Sequence, residues 1–108
     1  MNLYYVLDQA GRPCPADLLT WAAWFSSADR TVAHDVVGGA SISTVFLGLD
    51  HRHGRPGPPI LYETMVFGGP LDEEQRRYAT REQALSGHAE VLTLVLASQA
   101  RGIRIRET

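Results

Sequence analysis

The sequence contains no lysine, and all ten of its basic residues are arginine. This bias is typical of a GC-rich genome and indicates no mechanism by itself. Twelve acidic residues bring the net charge to −2, which gives no general attraction to nucleic acid or to anionic membranes. The arginines near the carboxyl end have no interleaved aromatic residues, which single-strand binding would need. We therefore expect neither a nucleic-acid nor a membrane partner.

Cysteine is almost absent as well. Cys14 is the only one, which excludes an internal disulfide and fits a reducing cytoplasm. No basic segment followed by an apolar run and a cleavage site opens the chain, so no signal peptide is visible. The longest apolar stretch, residues 91–97, is far too short to span a bilayer. These absences predict a cytoplasmic location, and no motif indicates a cofactor.

The remaining composition is that of one folded domain. Hydrophobic residues make up 44% and charged residues 20% of 108 residues, too apolar for a disordered chain. That length supports one modest core, so we expect residues 1–108 to form a single α+β domain.

Apolar alternation and β-branched residues predict five strands, at residues 3–7, 31–37, 41–49, 60–67 and 75–79. Leu18, Trp21, Ala22 and Phe25 have the spacing of one buried helical face, which predicts a helix from Pro15 to about residue 28.

Thr80 and Gln83 form a capping-box signature that predicts a second helix from residue 80 to about residue 100, where Gly102 would end it. Residues 103–108 are either a short edge strand or a frayed tail. The order β-α-β-β-β-β-α predicts a mostly antiparallel sheet of about five strands, with both helices packed on one face.

This architecture leaves the second face of the sheet uncovered, although the central strands carry apolar residues on both faces. Val45, Met65 and Phe67 lie on one face of these strands, and Phe46 and Val66 lie on the other. A large exposed apolar patch usually marks an interface. The sheet therefore either curls on itself or meets a partner, for which a second copy of the chain is one candidate.

The segment LDHRHGRPGPPILYE, residues 49–63, contains the first candidate site. His51 and His53 point to the same side of an extended segment, so one metal ion could take both. Asp50 faces the other way, and no third ligand is nearby. The glycines and prolines are what a connection between two strands needs, so we interpret the segment as a turn.

Glu63 and His88 are the second candidate site, since each interrupts an otherwise apolar face. If the last helix covers the Glu63 face, the two side chains could hydrogen-bond. Such a pair could serve as a general base and its orienting group, or it could fix helix against sheet as a buried structural pair. We favour the structural pair, because no nucleophile motif accompanies it.

Trp24 is the third candidate, because it points away from the buried face that Trp21 borders. Aromatic residues that miss the core are enriched in protein interfaces. Trp24 would still belong to the core if another element covered that side. We predict Trp24, with Trp21 and Tyr62, as the partner-binding residues.

The strings STVFLGLDH, PPILYETMVFGG and RYATREQALSGH resemble a family of small uncharacterised proteins from phage and prophage genomes. The resemblance covers about residues 29–91, more than half of the chain. No activity is assigned to that family, so no catalytic role is carried over, but the resemblance implies a context in which small proteins bind and modulate host proteins, including defence enzymes.

These observations predict a non-enzymatic protein that acts through protein contacts, with a host-encoded partner and a homodimer as candidate assemblies. The alternative is a small metal-dependent or hydrolase-like enzyme that uses His51, His53, Glu63 and His88.

Overall fold

The computed structural model describes the backbone of residues 2–107 and the side chains of residues 2–100. Over this range the chain forms six strands and two helices, which gives an α+β fold as predicted. In chain order they are β1 (Tyr5–Leu7), β2 (Pro13–Pro15), α1 (Leu18–Phe25), β3 (Thr31–Val37), β4 (Ala40–Phe46), β5 (Tyr62–Phe67), β6 (Gln75–Tyr78) and α2 (Arg81–Glu107).

The strands form two antiparallel sheets. The main sheet has the order β3-β4-β5-β6, so each strand pairs with its neighbour in the sequence. β1 and β2 form a separate hairpin, which a bridge between Tyr4 and Leu49 links to the segment after β4. The fold therefore has one four-stranded sheet and a small hairpin, instead of one five-stranded sheet.

Alternation along β4 and β5 decides which face of the main sheet forms the core. Every second residue of both strands is buried, and these residues point to one face. They are Ala40, Ile42, Thr44, Phe46, Tyr62, Thr64 and Val66. We call this the covered face, because α2 packs across it.

α2 meets the covered face through buried residues at helical spacing: Ala84, His88, Val91 and Val95. Val91 and Val95 join one half of the core, and Ala84 joins the half built around Phe46 and Tyr62. The capping box is present as predicted. Thr80 accepts a hydrogen bond from the Gln83 amide at 3.1 Å, and the Gln83 side chain accepts one from the Thr80 amide at 3.2 Å.

α1 closes one end of the covered face, where Trp24 meets Phe46 edge-on with ring centroids 5.9 Å apart. Its predicted start was wrong. Pro15 belongs to β2, and Asp17 is the N-cap, since its carboxylate accepts a hydrogen bond from the Thr20 amide at 2.8 Å. That bond lowers the pKa of Asp17.

Other predicted boundaries also differ from the structure, and β1 and β5 each begin two residues later than predicted. α1 ends at Phe25 instead of residue 28. β4 ends at Phe46, because Gly48 bends the chain with a φ of 76°, a conformation that favours glycine. α2 continues through Gly102 to Glu107, so residues 103–107 are neither a strand nor a tail, and Thr108 lies outside the described residues. No helix within the described range is both long and apolar enough to cross a membrane.

Candidate functional site

The second face of the main sheet has no element packed on it in the described part of the chain, and we call it the open face. Residues directly opposite each other on antiparallel strands point to the same side, so the pairing register defines its three rows. They are Val36–Ser41–Phe67, then His34–Ser43–Met65–Gln75, then Thr31–Val45–Glu63–Arg77.

The first row of the open face presents apolar surface to solvent. Val36 is 66% exposed and Phe67 is 52% exposed, and they flank the small side chain of Ser41. Met65 lies beside them in the next row and is half-buried. The second face is thus uncovered as predicted, but its exposed apolar surface is confined to Val36 and Phe67, because most other positions of the three rows are polar or charged.

The third row carries the charges. Arg77 donates to the Glu63 carboxylate at 2.9 Å, and Gln75 donates to the same oxygen at 2.8 Å. Both charges affect the pKa of His51, which lies in the loop after β4. Partial burial lowers the pKa of His51, repulsion from Arg77 lowers it further, and Glu63 opposes them. The ion pair leaves this margin of the open face close to neutral.

The predicted contact between Glu63 and His88 is wrong. Glu63 lies on the open face, whereas His88 lies under α2 on the covered face, where its ring contacts Thr44 and Asp35. Each residue does reach other polar groups. The face of Glu63 was predicted correctly, but α2 packs on the opposite one.

His88 belongs to a chain of hydrogen bonds through the core, which we call the polar chain. Tyr78 donates to the Thr64 hydroxyl at 3.1 Å, and the Thr64 and Thr44 hydroxyls are 2.6 Å apart. The Thr44 hydroxyl lies 2.7 Å from His88 Nδ1, and His88 Nε2 lies 2.7 Å from an Asp35 carboxylate oxygen. The chain therefore crosses β6, β5, β4, α2 and β3.

The number of available protons decides which group donates and which accepts in each hydrogen bond of the polar chain. Because Tyr78 donates to Thr64, the Thr64 proton is free to go to Thr44, and the Thr44 proton to His88 Nδ1. His88 then donates from Nε2 to the Asp35 carboxylate. We assign this tautomer from the network, since it gives every member a partner. The satisfied chain fixes the register between α2 and the sheet.

A hydroxyl, an imidazole and a carboxylate in sequence also resemble the groups of a nucleophilic triad. In a nucleophilic triad the hydroxyl has to meet the substrate, whereas here the carboxylate is the exposed end of the chain. Thr44 is 0% exposed and His88 is 5% exposed, whereas the Asp35 side chain is 47% exposed. A substrate would meet the carboxylate and could reach the hydroxyl only if the core opened. The geometry therefore favours a structural role for the polar chain.

The loop between β4 and β5 is braced by its own side chains. The carboxylate of buried Asp50 accepts hydrogen bonds from the amides of Arg52 at 2.8 Å and Ile60 at 2.9 Å. The Arg52 guanidinium donates to the carbonyls of Pro58 and Pro56 at 2.7 and 3.3 Å. These bonds support the interpretation of the segment as a turn.

The two loop histidines lie near each other, with ring centroids 5.8 Å apart. Among the side chains of residues 2–100, no group of three His, Cys, Asp or Glu residues is placed to hold a metal ion. The four residues of the alternative enzyme also do not converge, since His88 and Glu63 lie on opposite faces.

The three predicted partner-binding residues contribute little free surface. Trp24 is half-buried against Phe46, which favours the core alternative. Trp21 packs between Tyr4 and Phe25, with ring centroids 5.2 and 4.7 Å away. Tyr62 is 1% exposed, so in this conformation it offers almost nothing to a protein partner.

Sequence reasoning missed Asp35, Thr44 and Thr64 as members of the polar chain. A signal was present for the two threonines, because each alternates in phase with the large apolar residues of its strand. The sequence carried no comparable signal for Asp35, whose contact with His88 depends on the pairing of β3 with β4.

Comparison with known proteins found no family model, no curated protein and no solved structure that matches this chain.

Proposed function

We propose that this chain is a non-enzymatic protein that acts through protein–protein contacts, with the open face as its contact surface. The main support for the proposal is that Val36 and Phe67, which lie in the same row of the open face, are both exposed to solvent. Exposed apolar surface of this kind marks interaction sites in folded proteins.

A second copy of the chain is the occupant that the open face suits best. The Glu63–Arg77 pair is closed on itself, so the face does not require a strongly charged partner. A two-fold axis along the strands would set β3 of one copy against β6 of the other, so that His34 meets Gln75 of the same row. Both side chains can hydrogen-bond across such a margin.

The size of the open face sets the strength of this contact. Four strands that average six residues, at about 3.3 Å per residue and about 4.8 Å between strands, cover about 380 Å². A standard stable interface buries about 800 Å² per partner. The proposed dimer is therefore in the weak class, and we expect it to form at micromolar concentration.

The resemblance to phage and prophage proteins supports a wider proposal, in which the same face binds and modulates a host protein. A weak self-contact is compatible with that activity, because a tighter host partner would displace the second copy from the open face. Host binding and self-association then compete.

Sedimentation equilibrium over a concentration series tests the proposal. The wild-type chain should move from its 11.9 kDa monomer mass to twice that mass, and Phe67→Asp should remain monomeric. Leu19→Asp is the matched control, since Leu19 is 82% exposed on α1, away from the open face. Leu19→Asp should dimerise like the wild type.

Two outcomes would overturn the proposed dimer. One is a monomer at every concentration up to about 100 μM, well above the micromolar range expected of a weak interface. The other is a dimer that both aspartate variants retain or both lose, because the contact would then not depend on the open face. A host protein that binds wild type and Leu19→Asp but not Phe67→Asp would support the wider proposal.

A further inference from the structure

A cleft of about 790 Å³ lies away from the open face, between the hairpin turn at residues 10–13 and the start of α2 at residues 79–82. Tyr62 lies at its base. We call it the α2 cleft. It does not involve the residues of the proposed protein contact, so it has to be explained separately.

The Tyr62 hydroxyl is the first feature that points to a ligand. The residue is 1% exposed, and its hydroxyl has no hydrogen-bond partner among the described residues. A buried polar group without a partner costs stability and calls for an explanation. Burial raises the pKa of Tyr62, Arg81 lowers it and Glu82 raises it, so both charged groups act on the hydroxyl. Tyr62 lines the α2 cleft together with residues 79–82, and its hydroxyl keeps its proton to donate.

The N-terminus of α2 is the second feature. The capping box satisfies the amides of Ala79, Thr80 and Gln83. Within the described chain, the amides of Arg81 and Glu82 have no acceptor, as expected for the first two positions of a helix. Both residues line the α2 cleft. Free amides at the positive end of a helix dipole bind anions.

The charges around the α2 cleft agree with an anionic ligand. Two basic residues, Arg12 and Arg81, line it, against one acidic residue, Glu82. Arg12 is 80% exposed and makes only a 3.9 Å contact with Asp8, so its donors are available. Glu82 is an acceptor, which a ligand with a hydroxyl or amino group beside its anionic group would satisfy.

We propose that the α2 cleft binds a small phosphorylated molecule that carries a hydroxyl or amino group near its phosphate. The Tyr62 hydroxyl, the two free amides and the two guanidinium groups are the donors to the phosphate, and Glu82 accepts from the neighbouring group. This set of donors exceeds what the two oxygens of a carboxylate accept and suits the three free oxygens of a phosphate.

Amide NMR titration of the full chain tests the site, with inorganic phosphate and glycerol 3-phosphate as probes and acetate at matched ionic strength as the comparison. Both phosphate probes should shift the amides of residues 79–82 and 10–12 and saturate, and glycerol 3-phosphate should bind more tightly because its hydroxyls reach Glu82. Acetate should bind at least tenfold more weakly. Equal saturation by acetate would overturn the assignment to phosphate.

Tyr62→Phe is the decisive variant. It removes a hydroxyl that has no partner, so the variant should fold with undiminished stability while its phosphate affinity falls about tenfold or more. Arg81→Gln should also weaken binding, and Arg77→Gln, an exposed arginine on the open face, is its control. Unchanged affinity in Tyr62→Phe, or equal losses in the two arginine variants, would overturn the proposal.

Discussion

His88 Nδ1 lies 2.7 Å from the Thr44 hydroxyl, which ties α2 to the centre of the sheet at a point where neither residue meets solvent. The same ring reaches Asp35 from its other nitrogen, at the edge strand β3. One imidazole therefore links a helix to two neighbouring strands. Because the surroundings are apolar, an unpaired member of this network is costly.

We expect His88→Leu to lower the free energy of unfolding by about 1–3 kcal/mol, because it leaves the Thr44 hydroxyl without its acceptor. Thr44→Val should cost a similar amount, because His88 Nδ1 loses its donor and the Thr64 hydroxyl loses its acceptor. The double variant should cost less than the sum, since contacting residues are not additive. Urea denaturation of the four proteins measures this coupling, and strict additivity would contradict the polar chain.

Glu63→Gln provides the control for this comparison of single and double variants. Glu63 lies on the other face of the sheet and shares no hydrogen-bond partner with His88. Its cost should therefore add to that of His88→Leu within about 0.5 kcal/mol.

Gly87→Ala should destabilise the protein, although alanine is favoured over glycine in a helix interior by about 1 kcal/mol. A Cβ at Gly87 would collide with the ring and hydroxyl of Tyr78, which lies against the helix backbone. We expect a net loss of about 1–3 kcal/mol, typical of overpacking. Ser86→Ala is the control, because Ser86 is exposed on the same helix and should be neutral or stabilising. Thermal and urea unfolding give the comparison.

The Tyr78 side chain itself tests this explanation. If the collision causes the loss, Gly87→Ala should cost less in a Tyr78→Ala background than in the wild type. An equal cost in both backgrounds would show that the glycine is needed for another reason.

Much of the fold followed from local patterns, because alternation and capping act over a few residues. β3, β6 and the capped start of α2 were predicted closely. β2 was missed, since its residues Pro13–Pro15 include two prolines, which lack the amide donor of a regular strand. The hairpin forms because β1 supplies its partner across the turn at residues 8–12, and the composition of β2 alone does not indicate that pairing.

The candidate sites show the same limit. Alternation placed Glu63 with Met65 and Phe67, but it could not tell which face of the sheet α2 would cover. Both faces carry apolar residues, so the choice depends on how the whole helix packs. The interior position of His88 was visible from helical spacing, whereas its partners required the register of two strands, β3 and β4.

Replacing His51 and His53 together by alanine should change stability by less than about 1 kcal/mol, as at surface positions away from special features. Asp50→Ala should cost more, about 1–3 kcal/mol, because the amides of Arg52 and Ile60 both lose their acceptor. Urea denaturation ranks the variants, and metal analysis accompanies it. A larger loss in the histidine variant, or a stoichiometric bound metal, would overturn the interpretation of the loop as a turn.

His51 should titrate below its ordinary pKa of 6.5, because partial burial and the charge of Arg77 disfavour its protonated form. Since the folded-state pKa is lowered, the unfolded chain binds more protons below about pH 6.5. His51 therefore reduces stability as the pH falls through that value, and the loss levels off below the folded-state pKa. NMR titration should show the pKa of His51 rise in Arg77→Gln and fall in Glu63→Gln. Opposite shifts, or none, would mean that His51 does not sense the charges at the margin of the open face.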